Sequence, residues 1–383
     1  MRRGAALYQS AAPENRDGRE FWDRRSRMAT KFRVCALLLV VAVLVLSAAC
    51  SPPGAKSESE AAGSGGKEGK QVVQSGGEAA SGAGTCKTEP PNVELSEAKV
   101  GFSQTENNNP WRIAQTESMK TEGEKQAGQY VATDAQSETP KQVSDVEDMI
   151  AQNIDILILA PREFEGLAPA LDAANKADVP VFLVDREARG KVCEEYISFL
   201  GSNFIDQGER AGEWLVQATD GQAKIAELEG TIGASVTNDR AEGFRNVVGK
   251  EEGMEIVASQ SGDFTRAGGQ KVMEQLIQAN PEINAVYAHN DEMAIGAIQA
   301  LEDAGKTPGE DVTIVSVDGT RDALQAIIDG KLGATVESNP RFGPLTFQTI
   351  EKFLNGEPIP QKIILKDRFF DKSNAKKFID SAY

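Results

Sequence analysis

The sequence has one histidine, His289, and four cysteines in 383 residues. A lone histidine excludes any site built on a pair of histidine ligands. It also makes a histidine-based catalytic dyad depend on that one residue. Basic charge is short: 41 Lys and Arg stand against 58 Asp and Glu, a net charge of −17. This argues against a nucleic-acid partner, whose phosphates call for a basic face. The uncharged run 34–49 (VCALLLVVAVLVLSAA) has 16 residues. A bilayer-spanning helix needs about 20. The chain is not poor in apolar residues, however. They make up 40% of it, which is ample for real cores and excludes a globally disordered chain.

The charge is uneven. Residues 1–33 carry a net +5, which leaves −22 on the remainder. A basic stretch, a short apolar run and then small residues make a secretory signal peptide, here 1–49. Met28 opens a more compact leader, so residues 1–27 read as a misplaced start. Leu46-Ser47-Ala48-Ala49-Cys50 resembles a bacterial lipobox, with Ser47 in the place where that pattern prefers Leu. The resemblance implies lipidation at Cys50. Residues 51–85 contain no aromatic, and Gly, Ser and Ala supply 21 of the 35. Such a stretch cannot bury enough surface to offset its ordering entropy. Residues 50–97 are therefore expected to be a flexible tether behind the lipidated cysteine. Cys35 leaves with the leader. Cys86 and Cys193 remain, an even pair in an oxidising compartment, and a disulfide between them is expected. Two free, unrelated thiols are the alternative.

From residue 98 onward, short β-branched runs alternate with helical stretches of 10–18 residues. Examples are DILILA at 155–160, PVFLV at 180–184 and VTIVSV at 312–317. Parallel strands need crossover helices, so this alternation predicts an α/β fold of doubly wound parallel sheets. Ten such units exceed one ordinary sheet. We expect two lobes, 98–204 plus about 337–360, and 205–336 plus about 361–383. Three hinge segments near 204, 337 and 360 would join them.

Ligands in open α/β sheets bind beyond the carboxyl ends of the strands. That rule selects residues 104–112, Pro161-Arg162, Asp185-Arg186, 230–240, 261–264, His289-Asn290-Asp291 and Asp318-Gly319. These edges are rich in Asn, Asp, Arg and aromatics, and they lack metal-ligand spacing. A neutral polyol suits them. Carboxylates accept from hydroxyls, guanidinium donates in a planar fork, Asn does both, and an aromatic face covers the C–H side of a sugar ring. Asp291 is expected to cap the helix that follows it, and His289 to be a wall of the cleft rather than a base.

Five stretches resemble the periplasmic sugar-binding proteins of the ribose/galactose type, which serve ABC transporters: VGFSQ…NNPWR (100–112), PVFLVDR (180–186), ELEGTIGASVTNDRAEGF (227–244), SQSGDFTR (259–266) and VYAHNDEMAIGAIQA (286–300). The resemblance covers 98–383 and is greatest to the galactofuranose/galactose-binding subgroup. It implies ligand roles for Asn109 and Trp111, for the Asp185-Arg186 pair and for Asn203. In the second lobe it implies Arg240 as donor, Phe264 as stacking face, Asn290 as amide and Asp318 as carboxylate. Glu337 stands where ribose binders carry Gln, and Arg112 where they carry a second aromatic. Both departures argue against ribose itself.

The expectation is a lipid-anchored, extracytoplasmic receptor, monomeric and without cofactor or metal. It would close its hinged cleft on a monosaccharide and present the closed shape to an ABC permease. A receptor for a membrane signalling or chemotaxis sensor is the alternative. A cytoplasmic repressor module would need a DNA-binding helix pair where this chain has an export signal. A retaining glycosidase would need two carboxylates about 5–5.5 Å apart across the bond. Asp185 and Asp318 come from different lobes and are better explained as hydroxyl acceptors.

Overall fold

The apolar runs that read as strands are buried on both faces, as parallel strands between helix layers must be. In the computed structural model, which describes residues 72–73 and 81–383, Ile156–Leu159 and Val181–Val184 are buried at every position. The first lobe begins with β1 (Val72–Val73) and β2 (Ser81–Cys86). It continues through β3 (Lys99–Gln104), α1 (Pro110–Gln126), β4 (Gln129–Asp134) and α2 (Thr139–Ala151). It then runs through β5 (Ile156–Leu159), α3 (Ala168–Lys176), β6 (Val181–Val184) and β7 (Ser198–Ser202). The second lobe opens with α4 (Phe204–Ala218), β8 (Ala223–Glu229), α5 (Ser235–Val248), β9 (Met254–Ser261) and α6 (Arg266–Ala279). It closes with β10 (Ala285–Ala288), α7 (Asp291–Asp303), β11 (Thr313–Asp318), α8 (Arg321–Ile328) and β12 (Ala334–Glu337). The tail holds α9 (Gly343–Leu354), β13 (Ile359–Leu365), β14 (Phe369–Asp371) and α10 (Ala375–Phe378).

The strand order is β1-β13-β7-β6-β5-β3-β4 in the first sheet, with β2 also on β13, and β14-β12-β11-β10-β8-β9 in the second. Pairing is parallel except for β2–β13 and β12–β14. Each sheet is parallel-dominated and interleaved with helices, the α/β fold class expected from the sequence. Helix starts follow from local chemistry. Asn109, Asn203, Thr265, Asn290 and Thr320 each accept a main-chain N–H of the first turn through the side chain, and Pro110 sits at the first position of α1.

Three details differ from the expectation. β2 lies inside the stretch read as tether. Its SGAGTC offers almost nothing to bury, yet its main chain pairs with β13 from Cys86↔Ile359 to Ser81↔Ile363. Cys86 is also bonded to Cys193 across a Cα–Cα distance of 5.1 Å. Leu95 and Ala98 are buried, so the folded region starts well before 98. The third crossing lies at 366–368, not near 360, because β13 runs to Leu365 beside β7. The leader and Cys50 lie outside the described residues.

Candidate functional site

The carboxyl ends of both sheets face an open cleft with about 320 Å³ of empty space, solvent at its mouth included. From the first lobe, Glu106, Asn109, Trp111, Arg112, Asp185 and Arg186 line it. From the second come Val236, Arg240, Phe264, Asn290 and Asp318. Nine of the eleven residues expected to contact ligand are thus brought together.

The two amides do double duty. Asn109 and Asn290 cap α1 and α7 through their side-chain oxygens, accepting from Arg112 N and Met293 N. The Asn290 amide nitrogen donates to the Phe264 carbonyl at 3.1 Å, which holds the stacking residue in place. Trp111 is fixed by its indole N–H, which donates to the Ser338 carbonyl at 2.8 Å, and by an edge-on Phe342 at 6.0 Å. Phe264 lies 5.3 Å from the Arg186 guanidinium and 6.0 Å from that of Arg240. Gly230 makes room for this ring: a Cβ there would come within 1.9 Å of it.

Two expected residues are elsewhere. Asn203 spends its side-chain oxygen on the Asp206 N–H at 3.2 Å, as the cap of α4. The Glu337 carboxylate is taken by Arg368, whose main-chain N and Nε both donate at 2.8 Å. The crossing position was right for Glu337, but its partner lies 31 residues downstream. His289 is not a cleft wall either. It is fully buried, its Nε2 lies 3.1 Å from Glu227, and its carbonyl accepts from Arg240. Asp291 does not cap α7. Its carboxylate accepts from Ser316, Thr335 and both the hydroxyl and N–H of Thr320.

Sequence reasoning selected the 104–112 edge but assigned Glu106 no role, and it missed Gln207. Glu106 accepts from Arg112 Nε at 3.2 Å and from Arg162 Nη1 at 3.0 Å. Gln207, on α4, accepts from Arg240 Nε at 2.9 Å and donates to the Glu337 carbonyl and to Asp367 Oδ2, at 3.2 and 2.8 Å. It ties the site to two of the crossing segments.

The chain matches the periplasmic binding protein domain over residues 100–358. It belongs to the periplasmic binding protein family. It is 38% identical over 286 residues to the galactofuranose-binding protein YtfQ of Escherichia coli K12, a match covering 73% of this chain and 90% of that protein. It is 37% identical over 287 residues to the ribose import binding protein RbsB of Bacillus subtilis 168, covering 73% of this chain and 91% of that one. Its fold is similar to the crystal structure of a galactofuranose binding protein, with TM-score 0.72 at 37% identity over 74% of this chain and 98% of that one.

The cavity of this periplasmic binding protein is a lattice of opposed charges. Arg112 Nη1 lies 2.7 Å from Asp185, and Arg240 Nη2 lies 3.7 Å from Asp318. Burial works to raise the Glu106 carboxyl. Arg186, Arg112 and Arg162 outweigh it and hold the group at about 2. Burial, reinforced by Arg112, brings Arg186 down to about 10. Burial also pushes Asp318 well above the usual carboxylate range, against the pull of Arg240.

Several donors are left unspent. Arg186 Nε and Nη2 stand 3.7 Å from Asp185 and Glu106, too far for a hydrogen bond, and Nε has no other hydrogen-bond partner in the protein. Among the described residues no cluster of three or more His, Cys, Asp or Glu could hold a metal. No helix among them is long and apolar enough to cross a membrane.

Proposed function

We propose that this protein is an extracytoplasmic receptor for a monosaccharide of the galactofuranose/galactose kind, delivering it to an ABC importer and making or breaking no bond itself. The observation that carries this is the set of unspent groups between two aromatic faces. Arg186 Nε has no hydrogen-bond partner, Arg186 Nη2 and Arg240 Nη2 each stand 3.7 Å from a carboxylate, beyond hydrogen-bond reach, and Arg186, Arg240 and Asp318 all line one cavity. Each seeks a hydroxyl. An apolar ligand would leave them desolvated and unpaired, at a cost of about 1–3 kcal/mol per group.

Both signs of charge line the wall, which suits a neutral polyol better than an anion. Trp111 and Phe264 would cover the C–H faces of its ring. The similarity to YtfQ and to a solved galactofuranose binding protein supports a galactofuranose-like ligand, and RbsB, a ribose binder, stands at nearly the same identity. The replacement of an aromatic by Arg112 is what favours a sugar with more hydroxyls. Lipidation at Cys50 would hold the receptor at the membrane.

Thermal denaturation with galactose, galactofuranose, ribose, xylose, arabinose and glucose tests the reading. Binding to the native state alone raises the melting temperature. At least one of these sugars should do so, and a flat response to all six removes the proposal. Metabolic labelling with a fatty-acid probe, compared between the wild type and Cys50→Ala, tests the anchor.

A further inference from the structure

We propose that Arg162 is a positioning residue that couples lobe closure to the sugar cavity, by bridging Glu106 of the first lobe to Asp263 of the second. The proposal rests on the cavity being a sugar site. Arg162 is not part of the cavity wall. It follows β5, and its main chain is fixed, its N–H donating to Gln142 Oε1 and its carbonyl accepting from Arg186 Nη1, both at 3.0 Å. From there the guanidinium reaches two carboxylates. Nη1 donates to Glu106 Oε2 at 3.0 Å, and Nη2 lies 3.6 Å from Asp263 Oδ1.

Asp263 precedes Phe264, and both have left-handed backbone, with φ of 53° and 56°. The Asp263 carboxylate is held in turn by the Thr231 hydroxyl at 2.7 Å. One planar fork therefore touches the first lobe's buried acceptor and the loop that carries the second lobe's stacking ring.

Other contacts cross the mouth nearby. Phe164 N–H donates to the Gly233 carbonyl, and Glu187 N–H to Ser235 Oγ, both at 2.9 Å. Neither involves a cavity-lining residue. Among the described ion pairs, Arg162–Asp263 is the one that joins the lobes across the mouth and also reaches the cavity wall. Parting the lobes separates Arg162 from Asp263 but leaves Arg162 on Glu106. The bridge therefore belongs to the closed state, and it should slow ligand release rather than speed capture. The Asp263 side chain is half exposed, so the effect is screened by salt.

Stopped-flow tryptophan fluorescence with galactose, galactofuranose, ribose, xylose, arabinose and glucose tests this on the wild type, Asp263→Asn, Arg162→Met, Arg162→Lys and the Asp263→Asn/Arg162→Met double variant. Asn tolerates the left-handed backbone of position 263, so that variant keeps its loop. Asp263→Asn should raise the dissociation rate about 2- to 5-fold at low salt, as exposed ion pairs allow, leave the association rate unchanged and abolish the salt dependence of release. In the Arg162→Met background the Asp263 substitution should add nothing. Arg162→Lys keeps a charge opposite Asp263 without the fork, and should fall between wild type and Arg162→Met. If the wild type binds a sugar but Asp263→Asn releases it at the wild-type rate, or the two substitutions simply add, the coupling is refuted. A wild type that binds none of the six removes the sugar reading and this proposal with it.

Discussion

Replacing Arg186 by Met separates binding from folding more cleanly than any other change in the cavity. On the protein side, Arg186 makes one hydrogen bond, from Nη1 to the Arg162 carbonyl at 3.0 Å. Its carboxylate neighbours lose one favourable charge but keep other arginines. Glu106 keeps Arg112 and Arg162, and Asp185 keeps Arg112. Burial and the adjacent Arg112 already make its charge unfavourable, so a methionine of similar length, resting on Phe264, removes a strained cation. The ligand-free protein should lose no more than the single charged hydrogen bond, about 1.5–3 kcal/mol, offset by the relieved burial of charge. Binding has no such offset. Nε and Nη2 are the groups left for a hydroxyl, and two charge-assisted bonds at about 1.5–3 kcal/mol each amount to about 100- to 10,000-fold in affinity. At a sugar concentration of 100 Kd the wild type gains about 2.7 kcal/mol of stability. A variant weakened 100-fold would gain only about 0.4 kcal/mol at that concentration. Titration calorimetry and paired thermal melts would read both quantities. Affinity within about threefold of wild type, or a ligand-free variant that does not fold, would refute the reasoning.

The Cys86–Cys193 bond spans 107 residues, which corresponds to about 5 kcal/mol of lost unfolded-state entropy. The Cys86→Ser/Cys193→Ser pair should lower the denaturation midpoint by a large part of that and leave sugar affinity intact, since neither residue lines the cavity. Equal midpoints would count against it. Burial raises Asp367, at the third crossing, to about 7, against hydrogen bonds from Gln207 and Ser202. A carboxyl raised on folding gives stability that is full below its unfolded value, 3.8, and is lost as pH climbs through about 7. The melting temperature of Asp367→Asn should therefore pull ahead of wild type between pH 4 and 7 and keep a constant lead above that. Parallel curves would refute the assignment. Gly230→Ala places a methyl 1.9 Å from the Phe264 ring. It should abolish the sugar-induced thermal shift and destabilise the protein, and an unchanged shift would mean the ring is not a ligand face.

The sequence announces the parts of this fold that bury side chains. Ile156–Leu159 and Ala285–Ala288 are short continuous apolar runs, and both are central parallel strands buried at every position. Asp185-Arg186 and Asn290 follow such strands and could be located from the sheet-edge rule alone. What stays silent is structure held by main chain or by distant partners. β2 has almost no side chain to betray it, and a disulfide and a ladder to β13 order it. Glu106 looks like a surface acid until three arginines from three separate segments surround it. Gln207 is one polar residue on an amphipathic helix, and nothing in its neighbours marks it as the bond between Arg240 and the crossings. Glu337 misled for the same reason, because Arg368, which occupies it, comes from the far end of the tail.

The backbone at the cavity shows where these distant constraints act. Asp185, Phe264 and Asp318 are not glycines, yet their φ values are 67°, 56° and 138°. Such conformations cost about 1–3 kcal/mol each and persist only where the surroundings over-determine them. Each has a separate holder. The Asp185 N–H donates to the Leu200 carbonyl at 2.9 Å, from the neighbouring strand β7. The Phe264 carbonyl accepts from Asn290, at the head of α7. The Asp318 carbonyl accepts the Tyr383 hydroxyl at 2.8 Å, and that hydroxyl also lies 3.1 Å from the Ser338 carbonyl, which carries Trp111. The tail therefore does more than cross between lobes. Tyr383 holds the main chain of Asp318 in the second lobe and, through the Ser338 carbonyl, bears on Trp111 of the first, so one side chain of the tail steadies a residue of each wall. A cavity held in this way pays little to organise itself on binding. Its affinity should then be governed by the fit of hydroxyls to the unspent donors and by the contacts made on closure, not by ordering of the loops.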